Sequence, residues 1–477
     1  MLISYILLPF IFAFLIGISN FLKNPIYIRR VAKTFFVIQF IYTCILFLVP
    51  NVLNFSILNI DFILDKNAQF LLFLNNFIFF LFSIISKTFI LKLHKMFYAT
   101  SFLLLALVNF SILSDCIFTF FLSLFWIILI NYFLSISFVK KEEENQVKYQ
   151  ITNDLIWYFI AASLILYDFT RCFILNDIDF TFSNLKPNLH MIEDSSTICA
   201  FFGMLIIIAK LFNFIPFNSK NILLSNKINP CVFFLNSITN IILGSFLFLK
   251  VYKNFDYLFF QFQDEISIFL IINFIIFAIL TLRQKNLFKF LTTAFCTISI
   301  VIFFSSFTFE KECLSIFLYS IFILSLSYLL SAFVFIILAN KFKSGNLDDF
   351  KKIEDKTRLS QIFTTIALLN MASTPLLPIF GFELICLMTI FSTEYEGIIL
   401  NYTPYCLILG VLIVSLASFS MLYKILIEPT TKTYSQDSFC NHQIIVCLIL
   451  ILALIILGFC PEYLFEQMNL STELGQF

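Results

Sequence analysis

Residues 367–391 read ALLNMASTPLLPIFGFELICLMTIF, a stretch apolar enough for a membrane that carries a single charge, Glu383. Pro375 and Pro378 precede this carboxylate by one to two helical turns. Proline removes a backbone N–H and frees carbonyl groups, and freed backbone at membrane depth is tolerated only where protein or water satisfies it. The stretch therefore predicts a membrane helix that is broken beside a carboxylate.

The rest of the chain is equally apolar. Of its 477 residues 60% are hydrophobic and 12% charged, and the mean hydropathy is +0.97. A soluble domain could not bury that much apolar surface, and runs long enough to cross a bilayer recur from end to end. The alternating strands of an outer-membrane barrel are absent from the sequence pattern. We therefore expect an all-α polytopic membrane protein.

The residue usage also carries information about the genome. Phe accounts for 69 residues, while Gly (9) and Pro (11) are scarce, and Ile, Leu, Asn and Lys are common. Such a bias is typical of an AT-rich genome, whose codons favour those residues. We interpret it as the composition of an organelle gene.

Hydrophobic windows of about 20 residues predict about fourteen transmembrane spans. They lie at residues 2–22, 34–54, 68–86, 96–113, 116–136, 155–176, 197–217, 230–249, 266–282, 290–308, 313–338, 360–391, 402–423 and 443–460. The twelfth is too long for one straight helix, and its prolines predict two pieces.

The loop charges support this count. Connections after odd-numbered spans hold most of the 30 Lys and Arg, as in the run from Lys341 to Arg358, whereas the acids concentrate on the other side. The positive-inside rule therefore places the odd connections on the cytoplasm-like face. Both termini are then expected on the opposite face, which in a mitochondrion is the intermembrane-space side. The KKEEENQVK stretch from Lys140 is interpreted as a solvated turn.

Several kinds of site are not predicted. The twelve cysteines are scattered without a C-x-x-C pair, so neither zinc nor iron–sulfur ligation is expected. His94, His190 and His442 lie in or beside polar connections, where ordinary surface roles are expected. The motifs of nucleotide sites and hydrolytic nucleophiles are missing from the sequence. We expect no metal, cofactor or nucleic acid bound by this chain.

Two charges inside predicted spans are the main candidate site residues, Lys210 in GMLIIIAKLFNFIPF and Glu383. An ionisable group in hydrocarbon costs several kcal/mol unless it is paired or hydrated, so it is a functional candidate by default. Each lies near a proline, and a charge beside a broken helix is how many transporters build midplane ion sites. Two structural readings stay open: Lys210 could snorkel to the interface, and Glu383 could form an ion pair with a neighbour.

Polar residues elsewhere have simpler explanations as well. Asp168 and Arg171 are spaced i, i+3 on one predicted helix and could pair with each other. Asn240 in the eighth span could join helices through a hydrogen bond. Both Asp168 and Asn240 are nevertheless kept as candidates for proton transfer.

The two predicted breaks fall in spans seven and twelve, five spans apart. Because five is odd, a five-helix repeat would be inverted in the membrane. This spacing predicts an N-terminal three-helix segment at 1–95, a first five-helix repeat at 96–250, a second at 264–428, and a C-terminal helix and tail at 429–477.

Several stretches together resemble the antiporter-like membrane subunits of respiratory complex I (NADH:ubiquinone oxidoreductase), most closely subunit 2. PLLPIFGFE, residues 375–383, is similar to that subunit's PPLPGFFxK. LRQKNLFKFL at 282–291 resembles the start of the family's helix ten and makes Lys289 a further candidate. Other similar stretches are IPFNSKNILLSNKINPCVFFLNS at 215–237, YSIFILSLSYLLSAFVFII at 319–337, VSLASFSMLYKIL at 414–426 and LGFCPEYL at 457–464.

The resemblance implies an antiporter-like fold in which each half carries ionisable residues along a hydrated track. It places Lys210 within one residue of the family's helix-seven lysine and Glu383 on the helix-twelve site. Three positions depart from the family pattern: the helix-five glutamate would fall near Leu124, Asn240 stands at the helix-eight lysine, and Asn218 replaces a histidine. The N-terminal half therefore lacks the usual glutamate–lysine pair.

The implied function is proton translocation in the membrane arm of complex I, coupled to electron transfer from NADH to ubiquinone elsewhere in the complex. FMN, iron–sulfur clusters and ubiquinone would be bound by other subunits. Neighbouring membrane-arm subunits and phospholipids such as cardiolipin would be the partners, in the mitochondrial inner membrane. Three alternatives stay open: a subunit 4-like chain, because Glu383 matches that subunit, a subunit of a multisubunit cation/proton antiporter, and a structural spacer that has lost translocation.

Overall fold

The computed structural model describes most of the chain. The described residues are 2–18, 24–48, 53–57, 60–89, 93–139, 143–176, 181–182, 197–217, 225, 227–306, 313–342, 345–347, 358–375, 377–392, 398–426 and 439–459. The chain divides into two compact units, one formed by Met1–Asn218 with Cys231–Phe260 and the other by Ser219–Pro230 with Gln261–Phe477. The predicted division into four segments stays a prediction.

The first unit combines helices with one small sheet. Its elements are α1 Leu2–Ile18, α2 Pro25–Phe47, β1 Leu53–Ile57, β2 Ile60–Leu64, α3 Lys66–Phe89, α4 His94–Leu113, α5 Ile117–Ser137, α6 Glu144–Asn176, α7 Ile198–Leu211, α8 Pro230–Asn254 and α9 Asp256–Gln261. Helix α6 packs along both α5 and α7, while α4 packs on α1 and α5.

The second unit is helical in its described residues. Its elements are α10 Gln263–Arg283, α11 Leu287–Ser306, α12 Cys313–Phe342, α13 Arg358–Met371, α14 Pro378–Ser392, α15 Ile398–Leu426 and α16 Asn441–Phe459. Helix α12 is buried at the centre of this unit, where it contacts α11, α13, α14 and α16. A helix that is apolar all round is expected in such a central position.

Side-chain caps start several helices. The Asn24 side chain accepts a hydrogen bond from the backbone N–H of Ile26 at 3.0 Å, and Pro25 occupies the first position of α2. The Asn286 side chain does the same for Phe288 at the start of α11, at 3.0 Å. Asparagine before a helix and proline at its first residue satisfy or remove the N–H groups that a helix leaves unpaired.

The helices account for each of the predicted spans, so the all-α polytopic fold is confirmed. In the described residues ten helices are long and apolar enough to cross a membrane, and four shorter apolar helices accompany them. The predicted break in the twelfth span is also confirmed, since α13 ends at Met371 and α14 begins at Pro378.

One element was not predicted. Strands β1 and β2 form an antiparallel hairpin in which Phe55 lies opposite Phe62, and the carbonyl of Asp61 accepts a 3.0 Å hydrogen bond from the N–H of Asp115. The window that predicted span two extended it to residue 54, although α2 ends at Phe47. Hydropathy averaging cannot tell five-residue strands from the end of an apolar helix.

The interpretation of KKEEENQVK as a turn is wrong for its described residues from Glu144 onward. Helix α6 begins at Glu144, and the Lys148 ammonium lies 2.7 Å from the Glu144 carboxylate, one helical turn away. Val147 is buried on the same helix. Because α6 starts well before residue 155, Asp154 lies inside the helix rather than in the preceding loop.

Candidate functional site

The break in the first unit follows Leu211, the last residue of α7. The N–H of Asn213 donates to the carbonyl of Lys210 at 3.1 Å, and the N–H of Phe214 donates to the carbonyl of Ala209 at 2.8 Å. Asn213 has a φ of 63°. Two such bonds around a left-handed residue form a Schellman motif, which ends a helix while satisfying its last carbonyls. Residues 218–224, after this break, lie outside the described residues.

The break in the second unit has the same hydrogen-bond pattern. The N–H of Ser373 donates to the carbonyl of Asn370 at 3.1 Å, and the N–H of Thr374 donates to the carbonyl of Leu369 at 3.3 Å. Ser373 has a φ of 51°. Helix α13 therefore ends in the same Schellman motif as α7, and Pro378 then starts α14 as its first residue.

The shared motif places Lys210 and Asn370 at equivalent positions. Each is the next-to-last residue of its helix and provides the carbonyl that the left-handed residue contacts. Asn370 is 1% exposed, and neither polar atom of its amide has a hydrogen-bond partner among the described residues. Asn370 was not predicted as a candidate, because only the backbone geometry shows that it is equivalent to Lys210.

Lys210 is 5% exposed inside the first unit. Its Nζ donates a 2.6 Å hydrogen bond to the backbone carbonyl of Asp154 on α6, and its charge interacts with the carboxylate of the same residue. The side chain therefore points into the protein and does not snorkel to a surface.

Asp154, the residue that Lys210 contacts, was not among the predicted site residues. It is partly buried on α6, and its Oδ1 accepts a 3.3 Å hydrogen bond from the Gln150 side chain one turn earlier. A signal was present in the sequence, because Val147, Ile151 and Leu155 continue the helical period of α6 through this polar stretch.

Glu383 lies in the second turn of α14 and is 3% exposed. The Ser373 hydroxyl, in the break, is within reach of its carboxylate. The Oε1 atom of the carboxylate has no hydrogen-bond partner among the described residues. The alternative of a structural ion pair therefore finds no support in the described part of the second unit.

More unpaired polar atoms lie on helix α12, which packs against both α13 and α14. The Ser325, Ser327 and Ser331 hydroxyls are buried without a hydrogen-bond partner in the described residues. Nearer its start, the Ser320 hydroxyl lies 3.6 Å from the Cys386 thiol, one turn beyond Glu383 on α14. At 100° per residue, Ser320, Ser327 and Ser331 fall on one stripe of α12. These three hydroxyls therefore line one side of α12.

The remaining candidates lie on α6, α8 and α11. The Asp168 carboxylate accepts a 2.7 Å hydrogen bond from the N–H of Ala200 and thus caps α7. Asn240 is half-buried on α8, and Lys289 is half-buried in the first turn of α11. Leu124 is buried on α5, whereas Asn218 lies outside the described residues. The predicted roles of Asp168, Asn240 and Lys289 in proton transfer stay predictions.

The fold was compared with known proteins. No protein-family profile matches the sequence, and no curated protein matches it by sequence. Over 100% of this chain and 99% of the other, the fold is similar to a chain of respiratory complex I from Thermus thermophilus, with a TM-score of 0.80 and 15% identity.

Two other complexes contain similar chains. A chain of the Mrp complex from Dietzia sp. DQ12-45-1b has a TM-score of 0.84 at 11% identity, covering 98% of this chain and 96% of that one. A chain of the membrane-bound sulfane sulfur reductase, an archaeal respiratory membrane complex, has a TM-score of 0.80 at 13% identity, with 99% and 96% covered. The chain therefore has the fold of the antiporter-like membrane subunits of complex I.

Proposed function

We propose that this chain is a proton-translocating subunit of the membrane arm of a respiratory complex I, of the subunit 2 type. The observation that carries the proposal is Glu383, a buried carboxylate beside a helix break with an oxygen that has no hydrogen-bond partner among the described residues. A buried acid without a cationic partner is costly in a membrane and is retained where protons or ions pass.

The surroundings of Glu383 suit proton transfer. A buried polar atom without a protein partner is normally satisfied by water, and the amide of Asn370 together with the α12 hydroxyls supplies several such atoms. Waters held by these groups would connect Glu383 to its neighbours by hydrogen bonds, since buried water bridges two to four polar groups. Glu383 would then take up a proton on one side of the break and release it on the other.

The energy for this transfer would come from other subunits. The proposal assigns FMN, the iron–sulfur clusters and ubiquinone to those subunits and gives this chain no redox centre. Its partners would be the adjacent membrane-arm subunits and phospholipids such as cardiolipin. The organelle-like composition favours the mitochondrial inner membrane, with both termini on the intermembrane-space side.

The test is Glu383→Gln in the assembled complex, with the number of protons moved per electron as the readout. We expect this ratio to fall while NADH oxidation continues, because the amide keeps the shape of the side chain but cannot carry the proton. The matched control is Glu265→Gln, at an exposed glutamate in the first turn of α10. An unchanged ratio for Glu383→Gln would refute the proposal and favour a structural spacer.

A second candidate is a subunit of a multisubunit cation/proton antiporter, and the similarity to a chain of the Mrp complex favours it. Affinity purification of the chain from its native membrane distinguishes the two. Co-purification with NADH-oxidising subunits supports the complex I assignment. Recovery in a complex that exchanges cations for protons without NADH oxidation supports the antiporter. Glu383 itself leaves subunit 4 as an alternative within complex I.

A further inference from the structure

Helices α5, α6 and α7 of the first unit each place one residue at a common level. The Tyr158 hydroxyl on α6 donates a 2.6 Å hydrogen bond to the carbonyl of Phe121 on α5. Consecutive spans run antiparallel, and each helix rises about 1.5 Å per residue, so Leu124 on α5 lies within about one residue of the level of Asp154 on α6. The Lys210 Nζ contacts the carbonyl of Asp154 from α7. Leu124, Asp154 and Lys210 therefore share one layer.

Close packing holds α6 and α7 in this register. A Cβ added at Gly203 would lie 2.8 Å from the carbonyl oxygen of Ala161 and 2.9 Å from the Ile165 side chain. The backbones of α6 and α7 thus approach each other as closely as glycine permits, one to two turns from the Lys210 contact. The layer also lies well inside α5, whose ends are Ile117 and Ser137, so a charge there needs a partner.

We infer that the Asp154 carboxylate is the counter-charge of Lys210 and positions it for proton transfer. It would replace on α6 the helix-five glutamate that the complex I resemblance places near Leu124. This inference rests on the proposed function. The acid would then lie on the adjacent helix at nearly the same level, and the first unit would have an acid–lysine pair built from α6 and α7.

The geometry separates two contributions of Asp154. Its backbone carbonyl accepts the hydrogen bond from Lys210, while its carboxylate is held by Gln150 and acts on Lys210 through its charge. Asp154→Asn therefore removes the charge and leaves the backbone acceptor and the side-chain volume in place. Asp154→Glu keeps the charge.

The experiment uses the assembled complex and measures the protons moved per electron together with its thermal midpoint. We expect Asp154→Asn to lower the proton ratio by the share that the first unit contributes and Asp154→Glu to restore most of that loss. Leu124→Glu in the Asp154→Asn background is expected to recover part of the ratio, because it returns a carboxylate to the same layer. Recovery by either carboxylate is not expected if Asp154 has only a structural role.

A double-mutant cycle provides a readout that is independent of proton pumping. Lys210→Met alone leaves the Asp154 carboxylate without the positive charge that compensates it. This variant should therefore have a lower thermal midpoint than Lys210→Met combined with Asp154→Asn. Additive effects of the two substitutions would overturn the inference.

Failure of this inference differs from failure of the proposed function. If Glu383→Gln lowers the proton ratio but Asp154→Asn does not, the role of Asp154 in proton transfer is refuted and the proposed function stands. If Glu383→Gln has no effect, the proposed function fails, and non-additivity in the stability cycle would still support the pairing of Asp154 with Lys210.

Discussion

The Asp168 carboxylate accepts a 2.7 Å hydrogen bond from the backbone N–H of Ala200, so an acid on α6 caps the first turn of α7. At the other end of α7, the Lys210 Nζ donates to the carbonyl of Asp154 on the same neighbouring helix. From the first pair to the second, α6 moves back by 14 residues while α7 moves forward by ten, as expected for two antiparallel helices that run side by side. Polar contacts therefore join α6 to both ends of α7.

Asp168→Ala tests whether Asp168 caps a helix or transfers protons. We expect the substitution to lower the stability of the complex by about 0.5–2 kcal/mol, the usual effect of losing a helix cap. Asp168→Asn should retain most of that stability, because its amide oxygen still accepts the hydrogen bond. The measurement is the thermal midpoint together with the protons moved per electron. A lower proton ratio at unchanged stability would instead make Asp168 a member of the proton path.

Gly203→Ala tests the close approach of α6 and α7. The added Cβ would lie 2.8 Å from a backbone oxygen, at Ala161, that cannot move without shifting α6. Overpacking of this kind typically costs about 1–3 kcal/mol, and we expect the thermal midpoint to fall accordingly.

The control for Gly203→Ala is the same substitution at Gly381 in α14, where an added Cβ meets nothing within 4 Å. In open space, alanine is preferred over glycine in a helix by about 1 kcal/mol. Gly381→Ala should therefore raise the midpoint or leave it unchanged. Equal effects at the two sites would show that α6 and α7 are not closely packed in the complex.

The prolines predicted the break before Pro378. Hydropathy and loop charge were enough to predict the spans and the two buried charges, Lys210 and Glu383. These features depend on average transfer energies, which a sequence window measures well. Asp154 was missed for the same reason. The window excluded the polar residues that precede it and moved the start of span six past it, although α6 begins at Glu144.

Asn370 could not be recognised from the sequence either, because its importance comes from backbone geometry. Only the matching Schellman motifs at Asn213 and Ser373 reveal that Asn370 is equivalent to Lys210. The capping role of Asp168 depends on the distance to another helix, and sequence spacing provides no such distance. The predicted pairing with Arg171 considered a single helix.

Asp65 connects the start of α3 to the end of α8, and its contribution should depend on pH. Its Oδ2 lies 3.2 Å from the Lys250 ammonium, and its Oδ1 accepts a 2.7 Å hydrogen bond from the N–H of Ala68. Burial acts to raise the pKa of Asp65, but the Lys250 charge and the Ala68 N–H hold this pKa below its ordinary value of 3.8. The folded protein therefore binds this proton less tightly than the unfolded chain.

It follows that the Asp65 carboxylate stabilises the fold fully above pH 3.8 and loses this effect as the pH falls through its lower folded pKa. We expect Asp65→Asn to cost at most about 1 kcal/mol near neutral pH, because the pair is partly exposed. The difference in thermal midpoint from the wild type should shrink below pH 3.8. Asp264→Asn, at an exposed aspartate of α10, is the control. A difference that persists in acid would exclude the ion pair as its cause.

Asn76 is the centre of a polar cluster that joins the first four helices. Its amide donates to the Tyr5 hydroxyl at 2.8 Å and to the Asn109 side chain at 3.2 Å, and the Tyr5 hydroxyl lies 3.2 Å from that of Thr43. Asn76→Leu removes the hydrogen bonds of this amide, while Tyr5 keeps Thr43 and Asn109 keeps the Asn75 side chain as partners. Losing hydrogen bonds of this kind typically costs about 0.5–1.5 kcal/mol each. We expect a lower thermal midpoint with an unchanged proton ratio. A lower ratio at normal stability would assign the cluster to proton transfer.

Asn370→Leu separates a hydrated site from a dry one. If no water contacts the Asn370 amide, leucine would remove two unpaired buried polar atoms. The complex should then become more stable by about 1–3 kcal/mol. If water bridges Asn370 to Glu383, as proposed above, leucine removes that bridge. We then expect a lower proton ratio with little gain in stability.

Asn370→Asp completes this test, because aspartate can hold the same waters and accept their hydrogen bonds. We expect it to retain more of the proton ratio than Asn370→Leu. The measurement is again the protons moved per electron, paired with the thermal midpoint of the assembled complex. A stabilised complex with a normal ratio for Asn370→Leu would show that Asn370 lies outside the path and that Glu383 exchanges protons by another route.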